Sequence, residues 1–421
     1  MNHYCIRRKS CRLCDQSSLE LILPMAPSPI ADAYVTADKL AIVQDRYPLD
    51  LYFCKACGHV QNIDVVNPEI LFRDYAYKTS HSLGLVDHYR DYAEQIRKQF
   101  EFLPGSLVVE LGSNDGSLLG FFKSHGYKVL GIDPAKSIAS EATKKGILTL
   151  PEFFNSKLAE NIHLKYGPAK IVAANNVFAH ADGLKDIALG VSHVLDDDGV
   201  FIFEVSYLPD IVDRFLFDTV YHEHVSYHSL IPLVKFLKEN GLELFDVQKI
   251  SSKGGSIRGF AQKFTKGNRA VSENVNKLLQ MEVERGFDHP DIFHCFSREI
   301  DKRKANLLEF IDSKILMGKT FAGYGASTTV TTLLWHFDLT ERIKYLVDDN
   351  LSKQGLYAPR CHIPVISSEK MQENMPDYVV ILAWNYAAPI IAKNKAYLDA
   401  GGVFIIPLPE LKLIRACEVS T

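Results

Sequence analysis

The sequence lacks several features that would assign it to a common class of protein. No apolar run is long enough to span a bilayer, and residues 1–10 are polar and basic without the apolar core of a signal peptide. No run of lysine and arginine is long enough to form a nucleic-acid surface, and the formal net charge is −4. We therefore expect a cytoplasmic protein that binds neither a membrane nor nucleic acid.

Cysteine is also scarce, because eight residues in a chain of 421 are too few for a disulfide scaffold. Four of them nevertheless form two C-x-x-C pairs, Cys11 with Cys14 and Cys54 with Cys57. Two such pairs form the ligand set of a tetrahedral zinc site, and four thiolates leave no open coordination position. We therefore predict a structural zinc ion. Zinc knuckles also bind nucleic acid, but the acidic balance of the chain argues against that alternative.

The stretch from Leu107 to Ser117 carries the main functional signal. It reads L-V-V-E-L-G-S-N-D-G-S, so that apolar residues run into an acid, a glycine and a second glycine four residues later. This order predicts a buried strand, a tight turn and a helix start, which together bring backbone N–H groups close to a ligand. The spacing, E-x-G-x-x-x-G, matches neither the dinucleotide motif G-x-G-x-x-G nor the phosphate loop G-x-x-x-x-G-K-[ST].

The acids near this turn indicate the charge of the ligand. Glu110 and Asp115 lie in the loop, and the next strand ends about 20 residues later in Asp133, where an acid reaches a ribose diol. Carboxylates suit a cationic ligand better than a phosphate, so we predict S-adenosylmethionine, and a turn for another nucleotide is the alternative. The predicted donor contacts are Glu110, Gly112, Asn114, Gly116, Asp133 and Asn175.

Strands that alternate with helices predict a parallel, doubly wound sheet through the middle of the chain. Ligands of such a sheet bind at the carboxyl ends of its strands. This rule places five residues from four strand ends around one crevice: Gly112, Asp133, Glu152, Asn175 and His180.

The densest run of polar chemistry is Y-H-E-H-V-S-Y-H, from Tyr221 to His228. It lacks the H-E-x-x-H spacing of a zinc protease, because Ser226 stands where the second histidine is required. Imidazole, carboxylate and phenol groups this close together suit general acid–base catalysis near neutral pH. A polar cluster that caps a helix or packs one domain on another is the alternative.

The C-terminal region predicts a second, smaller α/β domain. The sequence around Gly323-x-Gly325 reads as a strand that enters a turn, and the hydroxyls that follow could cradle a phosphate at a helix start. A tight strand–helix turn without a ligand is the alternative. The candidate substrate contacts are Tyr324, Ser327, Asn385 and, after the turn at Gly254-Gly255, Arg258.

In combination these motifs resemble the sugar C-methyltransferase family of deoxysugar biosynthesis, whose members make 3-C-methyl branched sugars. The shared features are the two-knuckle zinc module, E-x-G-S-N-D-G, A-N-N-V-x-A-H after a strand, Y-x-E-H-x-x-Y-x-S and G-Y-G-A-S, in that order. The resemblance covers essentially the whole chain. It implies a nucleotide-linked 4-keto-6-deoxyhexose that binds between the donor domain and the C-terminal domain, in a monomer or weak homodimer.

The resemblance also assigns catalytic residues. It matches Tyr221, Glu223 and His224 to the Y-x-E-H motif of the family, and we predict that His224 removes the proton at C3 of the sugar and that Glu223 orients the imidazole or a nearby hydroxyl. Tyr77, His180 and Tyr221 would hydrogen-bond the keto and enolate oxygen or accept the proton instead. Two departures stand out: the family often has a lysine where this chain has Thr329, and His222 has no assigned role. A small-molecule O-methyltransferase and a C5-methyltransferase of the same sugar class are the alternative functions.

The predicted architecture is α/β, with an N-terminal zinc-binding module, a central Rossmann-like methyltransferase domain and a small C-terminal Rossmann-like domain. The expected boundaries are 1–72 for the zinc module, 73–270 for the methyltransferase domain, 271–312 for a helical linker and 313–421 for the sugar-nucleotide domain.

Overall fold

The computed structural model describes residues 4–73, 78–81 and 84–418. This chain divides into two compact units that are interleaved in sequence. The first unit contains residues 1–20, 53–210 and 225–289, and the second contains residues 21–52, 211–224 and 290–421. The expected boundaries treated each domain as one continuous segment, whereas residues 21–52 and 211–224 belong to the same unit as the C-terminal sheet.

The N-terminal region is built from short strands around the cysteine pairs. Its elements are β1 (Cys5–Arg7), β2 (Leu19–Leu23), β3 (Leu51–Cys54), β4 (Val60–Asn62), β5 (Asp64–Val66) and α1 (Pro68–Phe72). Strand β1 pairs antiparallel with β5. Helix α2 (Leu85–Phe100) follows, and it buries Tyr89, Tyr92, Ala93 and Ile96 on one face, as the 3.6-residue period requires.

The central sheet has the predicted alternation of strands and helices. Its elements are β6 (Leu107–Leu111), α3 (Ser117–Ser124), β7 (Lys128–Ile132), α4 (Lys136–Lys144), β8 (Thr149–Leu150), α5 (Ser156–Tyr166), β9 (Ala169–Asn175), α6 (Leu184–Val194), β10 (Leu195–Ser206), α7 (Leu208–Asp213), β11 (Ser226–Tyr227), α8 (Leu230–Glu239), β12 (Leu242–Ile250) and β13 (Ser256–Lys263).

The strand order of this sheet is β12-β13-β10-β9-β6-β7-β8. Strands β6, β7, β8, β9 and β10 pair in parallel, and β13 runs antiparallel to both β10 and β12. Every residue of β6 is buried, as expected for a parallel strand with helices on both faces. The strand order reverses between β6 and β9, which makes their carboxyl ends the expected ligand site. Short β11 joins β4, β3 and β2 in a separate sheet.

The remaining elements begin with two helices, α9 (Glu273–Glu284) and α10 (Asp291–Ile315). The C-terminal sheet then follows, with β14 (Phe321–Tyr324), α11 (Thr328–His336), β15 (Leu346–Val347), β16 (Val365–Ile366), α12 (Ser368–Asn374), β17 (Tyr378–Ile381), α13 (Ala387–Lys393), α14 (Lys395–Asp399), β18 (Val403–Ile406) and β19 (Lys412–Ile414).

The C-terminal strands are ordered β16-β15-β14-β17-β18-β19, and only the β18–β19 pair is antiparallel. Counted from β14, this is the order 3-2-1-4-5-6 of a Rossmann sheet. The predicted α/β class and the second Rossmann-like sheet are therefore confirmed. Among the described residues, no helix combines the length and apolar character needed to cross a membrane.

Candidate active site

The first unit contains a cavity of about 490 Å³ at the carboxyl ends of β6, β7, β8 and β9. Its wall includes all five residues that the strand-end rule places around one crevice: Gly112, Asp133, Glu152, Asn175 and His180. Asn114 also lines it, whereas Glu110 and Gly116 are not part of the wall. The volume is in the range of small-molecule and cofactor sites.

The turn after β6 depends on glycine. Gly112 has φ +64°, and a Cβ added there would lie 2.4 Å from Cγ2 of Val177, so any side chain would clash. Gly116 also has a positive φ, and an added Cβ would lie 2.9 Å from Ile147. The turn therefore presents bare backbone to the cavity, which is what the close approach of a ligand requires.

Asp133 is held in a fixed orientation at the cavity wall. Its carboxylate accepts hydrogen bonds from the backbone N–H groups of Asn114, at 2.8 Å, and Ala135, at 2.9 Å. Burial raises the pKa of this carboxyl group, although these two N–H donors oppose the rise. A carboxylate has about four acceptor positions, so two remain for the hydroxyls of a ligand.

Glu110 lies in β6 and Asp115 in the turn that follows it, and neither lines the cavity. Glu110 is buried, and burial together with the negative charges of Asp133 and Asp115 raises the pKa of its carboxyl group well above the usual value. Asp115 accepts hydrogen bonds from the hydroxyl of Ser117, at 2.6 Å, and the N–H of Ser80, at 2.9 Å. A nearby cation would favour the ionised form of Glu110, so this group suits a positively charged ligand.

His180 lies in the turn after β9, and its ring stacks on Phe72 with centroids 5.8 Å apart. Phe72 itself lines the cavity, as do Asn67, Thr79, Tyr89, Phe154 and Asp182. Sequence analysis missed these residues because α1 and the start of α2 have no ligand motif. Tyr77, predicted as a pocket tyrosine, lies outside the described residues.

In the second unit, the structure brings Tyr221 and His224 together. The phenol oxygen lies 2.9 Å from Nε2 of His224, and Nδ1 lies 2.8 Å from the carbonyl oxygen of Thr219. Because a carbonyl can only accept, Nδ1 carries the proton of the neutral imidazole, and Nε2 is left as the acceptor. Glu223 is also buried. The geometry is that of a base whose tautomer is fixed by a backbone group.

His222 has a structural role. Its Nε2 lies 3.2 Å from the carbonyl oxygen of Tyr47, and the two rings meet edge to face with centroids 5.7 Å apart. Burial lowers the pKa of His222 to about 4, so the imidazole is neutral at physiological pH. It therefore anchors the segment and is no candidate for the base.

Two further contacts hold this segment in the second unit. The hydroxyl of Thr332, on α11, donates to the carbonyl of Val220 at 2.7 Å. The indole N–H of Trp384, three residues after β17, donates to Asp218 at 2.9 Å, and burial raises the pKa of Asp218 to about 7. The Tyr221–His224 pair thus depends on the C-terminal Rossmann sheet for its support.

The C-terminal glycine turn repeats the arrangement of the first. Gly325 has φ +120°, and Asp348, directly after β15, accepts hydrogen bonds from the N–H groups of Ala326 (2.6 Å) and Asn350 (2.8 Å). Among the predicted substrate contacts, Ser327 and Asn385 are exposed. Tyr324 is buried, and its phenol donates to Asp349 at 2.9 Å and accepts from Asn394 at 3.1 Å.

Arg258 is placed differently from the prediction. Its guanidinium is buried, donates to Glu204 at 2.7 Å and to Gln95 at 2.8 Å, and lies 4.1 Å from the ring centroid of Tyr92. It does not line the cavity. A guanidinium whose donors are used in a buried ion pair is not available to a substrate, so the role assigned to Arg258 is structural.

The four predicted zinc ligands converge. The sulfur atoms of Cys11, Cys14, Cys54 and Cys57 all lie within 4.8 Å of one another. The Cys11–Cys57 and Cys14–Cys54 pairs are each 3.6 Å apart. Tetrahedral Zn–S bonds place sulfur atoms about 3.8 Å apart, so the residues fit zinc without rearrangement. Hydrogen bonds among these neighbouring thiols lower the pKa of Cys54 and raise the pKa values of Cys11 and Cys57.

Comparisons with known proteins agree with these features. The model of a family described as "C-methyltransferase C-terminal domain" matches residues 251–409, and that of a "Putative zinc binding domain" matches residues 11–72. C-methyltransferase NovU from Streptomyces niveus is 33% identical over 407 residues, which cover 96% of this chain and 97% of the relative. The chain belongs to the C-methyltransferase family.

The predicted family, the S-adenosylmethionine-dependent methyltransferase activity and the N-terminal zinc-binding module are thereby confirmed. Two similar solved structures each cover less than half of this chain. Magnesium protoporphyrin IX methyltransferase from Synechocystis PCC 6803 is 16% identical, with 43% of this chain and 84% of that chain covered and a TM-score of 0.34. PH0226 from Pyrococcus horikoshii is 12% identical, with 47% and 98% covered and a TM-score of 0.36.

Proposed function

We propose that this enzyme methylates C3 of a nucleotide-linked 4-keto-6-deoxyhexose and that the reaction proceeds through an enolate. The observation that carries this proposal is the Tyr221–His224 pair, in which the carbonyl of Thr219 fixes Nδ1 of His224 as the donor. A C–H bond beside a ketone loses its proton when a base meets the carbon and a donor stabilises the developing oxygen charge. Catalysis of this kind needs no metal at the reacting carbon.

In this mechanism, Nε2 of His224 accepts the proton from C3. The Thr219 carbonyl stabilises the imidazolium that forms, because its hydrogen bond to Nδ1 strengthens when the ring becomes charged. The phenol of Tyr221, which donates to Nε2 in the free enzyme, moves to the enolate oxygen when the sugar binds. The predicted role of His180, in the first unit, is that of a hydrogen-bond donor to the substrate, and its stacking on Phe72 restricts the orientation of the ring.

The cavity of the first unit is the proposed donor site. The bare backbone around Gly112 would accommodate the methionine part, and Asp133 would accept from the ribose hydroxyls. Asn175, at the end of β9, would contact the adenosyl group. When bound, the donor supplies a methyl group on a positively charged sulfur, and that charge would favour the ionised form of the buried Glu110.

The glycine turn of the second unit is the proposed binding site for the nucleotide. Gly325 frees backbone N–H groups at the start of α11, and Ser327 and Thr329, whose hydroxyls lie 3.2 Å apart, supply side-chain donors. Asp348, fixed by two backbone donors, would accept from a ribose hydroxyl, as Asp133 does in the first unit. Binding of phosphate by amides and hydroxyls replaces the lysine that the family often has at the position of Thr329.

The decisive experiment incubates the enzyme in heavy water with a panel of nucleotide-linked 4-keto-6-deoxysugars, without the methyl donor. Mass spectrometry and NMR are expected to show deuterium entering C3, and addition of S-adenosylmethionine is expected to convert the same sugar to a C3-methyl product. We expect His224→Gln to slow exchange at least about 100-fold, which is the contribution of a general base. His222→Gln is the matched control, and it should keep the rate per folded molecule.

Other outcomes would overturn the proposal. Exchange and methylation at C5 would indicate the other carbon beside the ketone. Methylation without carbon exchange would indicate oxygen as the acceptor. Full exchange in His224→Gln and its loss in Tyr221→Phe would transfer the role of base to the phenol.

A further inference from the structure

Arg12 lies between two zinc ligands, Cys11 and Cys14, and its guanidinium is completely buried in the first unit. It donates four hydrogen bonds to four residues. Nε donates to Asp182 at 3.0 Å, Nη1 to the side chain of Gln61 at 3.0 Å and to the carbonyl of Val225 at 2.7 Å, and Nη2 to the carbonyl of Asn62 at 2.8 Å. This many well-formed bonds offset the cost of burying a charge.

Two of these partners belong to segments next to the proposed catalytic groups. Asp182 lines the cavity two residues after His180, and Val225 follows His224 directly in the chain. The same two segments are joined to each other, because the N–H groups of Val225 and Ser226 donate to the carbonyl of Ala179 at 2.9 and 3.1 Å. The guanidinium therefore contacts both sides of a junction that connects residues 179–182 with residues 225–226.

We propose that Arg12 is a positioning residue that couples the order of the zinc knuckle to the cavity wall at residues 179–182 and to the strand that begins after His224. Its relevance to catalysis depends on the proposed roles of His180 and His224. The proposal gives the zinc module a function beyond local folding, because Arg12 lies between two of its cysteines and bonds to Asp182, which lines the cavity.

The geometry is specific for arginine. A planar fork with five N–H donors can bond to a carboxylate, an amide oxygen and two carbonyls at once, whereas the single ammonium of lysine cannot reach acceptors spread this widely. Burial lowers the pKa of Arg12 to about 10, so the guanidinium still carries its charge at physiological pH. Arg8 also bonds to Asp182, at 2.9 Å, but its side chain is partly exposed and it does not reach residues 225–226.

The test compares Arg12→Met and Arg12→Lys with Arg7→Met in the full-length, zinc-loaded protein. Arg7 lies in the same module and bonds to Asp64, with about half of its side chain exposed. The measurement is hydrogen–deuterium exchange of backbone amides by mass spectrometry, together with the zinc content per chain. We expect Arg12→Met to retain one zinc ion and to exchange the amides of residues 179–183 and 225–226 at least about tenfold faster. Arg12→Lys should give a smaller increase, and Arg7→Met none in these segments.

Asp182→Asn distinguishes the two ends of the proposed coupling. It should loosen residues 179–183 and leave residues 225–226 protected, because the bond from Arg12 to the Val225 carbonyl remains. If Arg12→Met does not fold, Asp182→Asn still tests the proposal. Two results would overturn the proposal. Faster amide exchange confined to the cysteine knuckles would indicate a purely local effect. An equally large rise in amide exchange at residues 107–117 would indicate a purely global one.

A comparison of ligand affinity with kcat distinguishes a positioning role of Arg12 from a general effect on protein stability. By calorimetry, Arg12→Lys should bind S-adenosylhomocysteine within about threefold of the unmodified enzyme while its kcat for C3 exchange falls at least about tenfold. Equal losses in affinity for S-adenosylhomocysteine and in kcat would contradict the coupling. The amide-exchange measurement needs no sugar, so it tests the coupling through Arg12 even if the unmodified enzyme shows no C3 exchange, a result that would refute only the proposed function.

Discussion

The two Rossmann-like sheets of this protein share one backbone arrangement at the ends of their first two strands. In each, the first strand ends in a glycine turn and the next strand ends in an aspartate, Asp133 in one and Asp348 in the other. Both carboxylates accept two backbone N–H groups, one from the glycine turn and one from the residue two positions after the aspartate. A fixed acceptor beside a glycine turn is therefore a property of the fold.

The side chains around the turns differ. The first turn is surrounded by carboxylates, Glu110 and Asp115, and burial leaves Glu110 with a strongly raised pKa. The second turn is followed by hydroxyls at Ser327, Thr328 and Thr329, and burial raises the pKa of Asp348, although the backbone N–H groups of Asn350 and Ala326 oppose the rise. The proposed function therefore assigns the position of each ligand to the fold and its charge to a few side chains.

Exchanging the two glycines for alanine should have the largest effect and should separate the two sites. We expect Gly112→Ala to weaken S-adenosylhomocysteine binding by about 100-fold, because its Cβ would clash with Val177 and its φ is positive. Gly325→Ala should instead weaken binding of the nucleoside diphosphate, since its Cβ would lie 2.8 Å from that of Ala383. Calorimetric titration of each variant with each ligand gives four dissociation constants. If one variant loses the same affinity for both ligands, the two sites are not independent.

The two aspartates should show a smaller and equally selective effect. Asp133→Asn should weaken S-adenosylhomocysteine binding by about tenfold, as expected for loss of a charged hydrogen-bond acceptor. Asp348→Asn is the matched control, because it removes the same charge from the equivalent position of the other sheet. If the control weakens donor binding as much as Asp133→Asn does, the acid acts through stability and not through the ribose.

The buried acid that supports the second unit predicts the smallest effect, a dependence of stability on pH. Asp218 has a folded pKa of about 7, above its unfolded value near 4, because burial disfavours the charged form. The folded state therefore binds more protons, and stability falls as pH rises through this interval. Asp218→Asn keeps an acceptor for Trp384 and should raise Tm by about 2 °C at pH 8 but not at pH 4. An equal shift of Tm at both pH values would contradict this assignment.

The sequence predicted the residues that depend on local pattern. Gly112, Asp133, Asn175 and His180 were placed together correctly, because parallel strands bring their carboxyl ends to one edge of a sheet. The convergence of the cysteine pairs was predictable for a similar reason, since their ligand spacing has few other uses. Both rules link a short motif to one location in the fold.

The residues that sequence analysis misjudged depend on long-range contacts. Arg258 follows a glycine turn and therefore had the pattern of a ligand contact, but its partner Glu204 lies 54 positions earlier in the chain. Tyr324 lies inside the G-Y-G motif, yet its phenol is bonded to Asp349 and Asn394. No periodicity or spacing marks such pairs, and none marks Arg12, whose partners lie up to 213 positions away.

The interleaving of the two units affects how the chain is made. The segment that contains Tyr221 and His224 leaves the ribosome about 100 residues before the C-terminal sheet that supports it, a delay of roughly 5–20 s at ordinary rates of synthesis. During that time, Thr332 and Trp384, which hold this segment, do not yet exist. Truncation before β14 therefore leaves a chain that contains every predicted acid–base residue but lacks the sheet that positions the Tyr221–His224 pair, and exchange of C-terminal regions between relatives has to include residues 21–52 and 211–224.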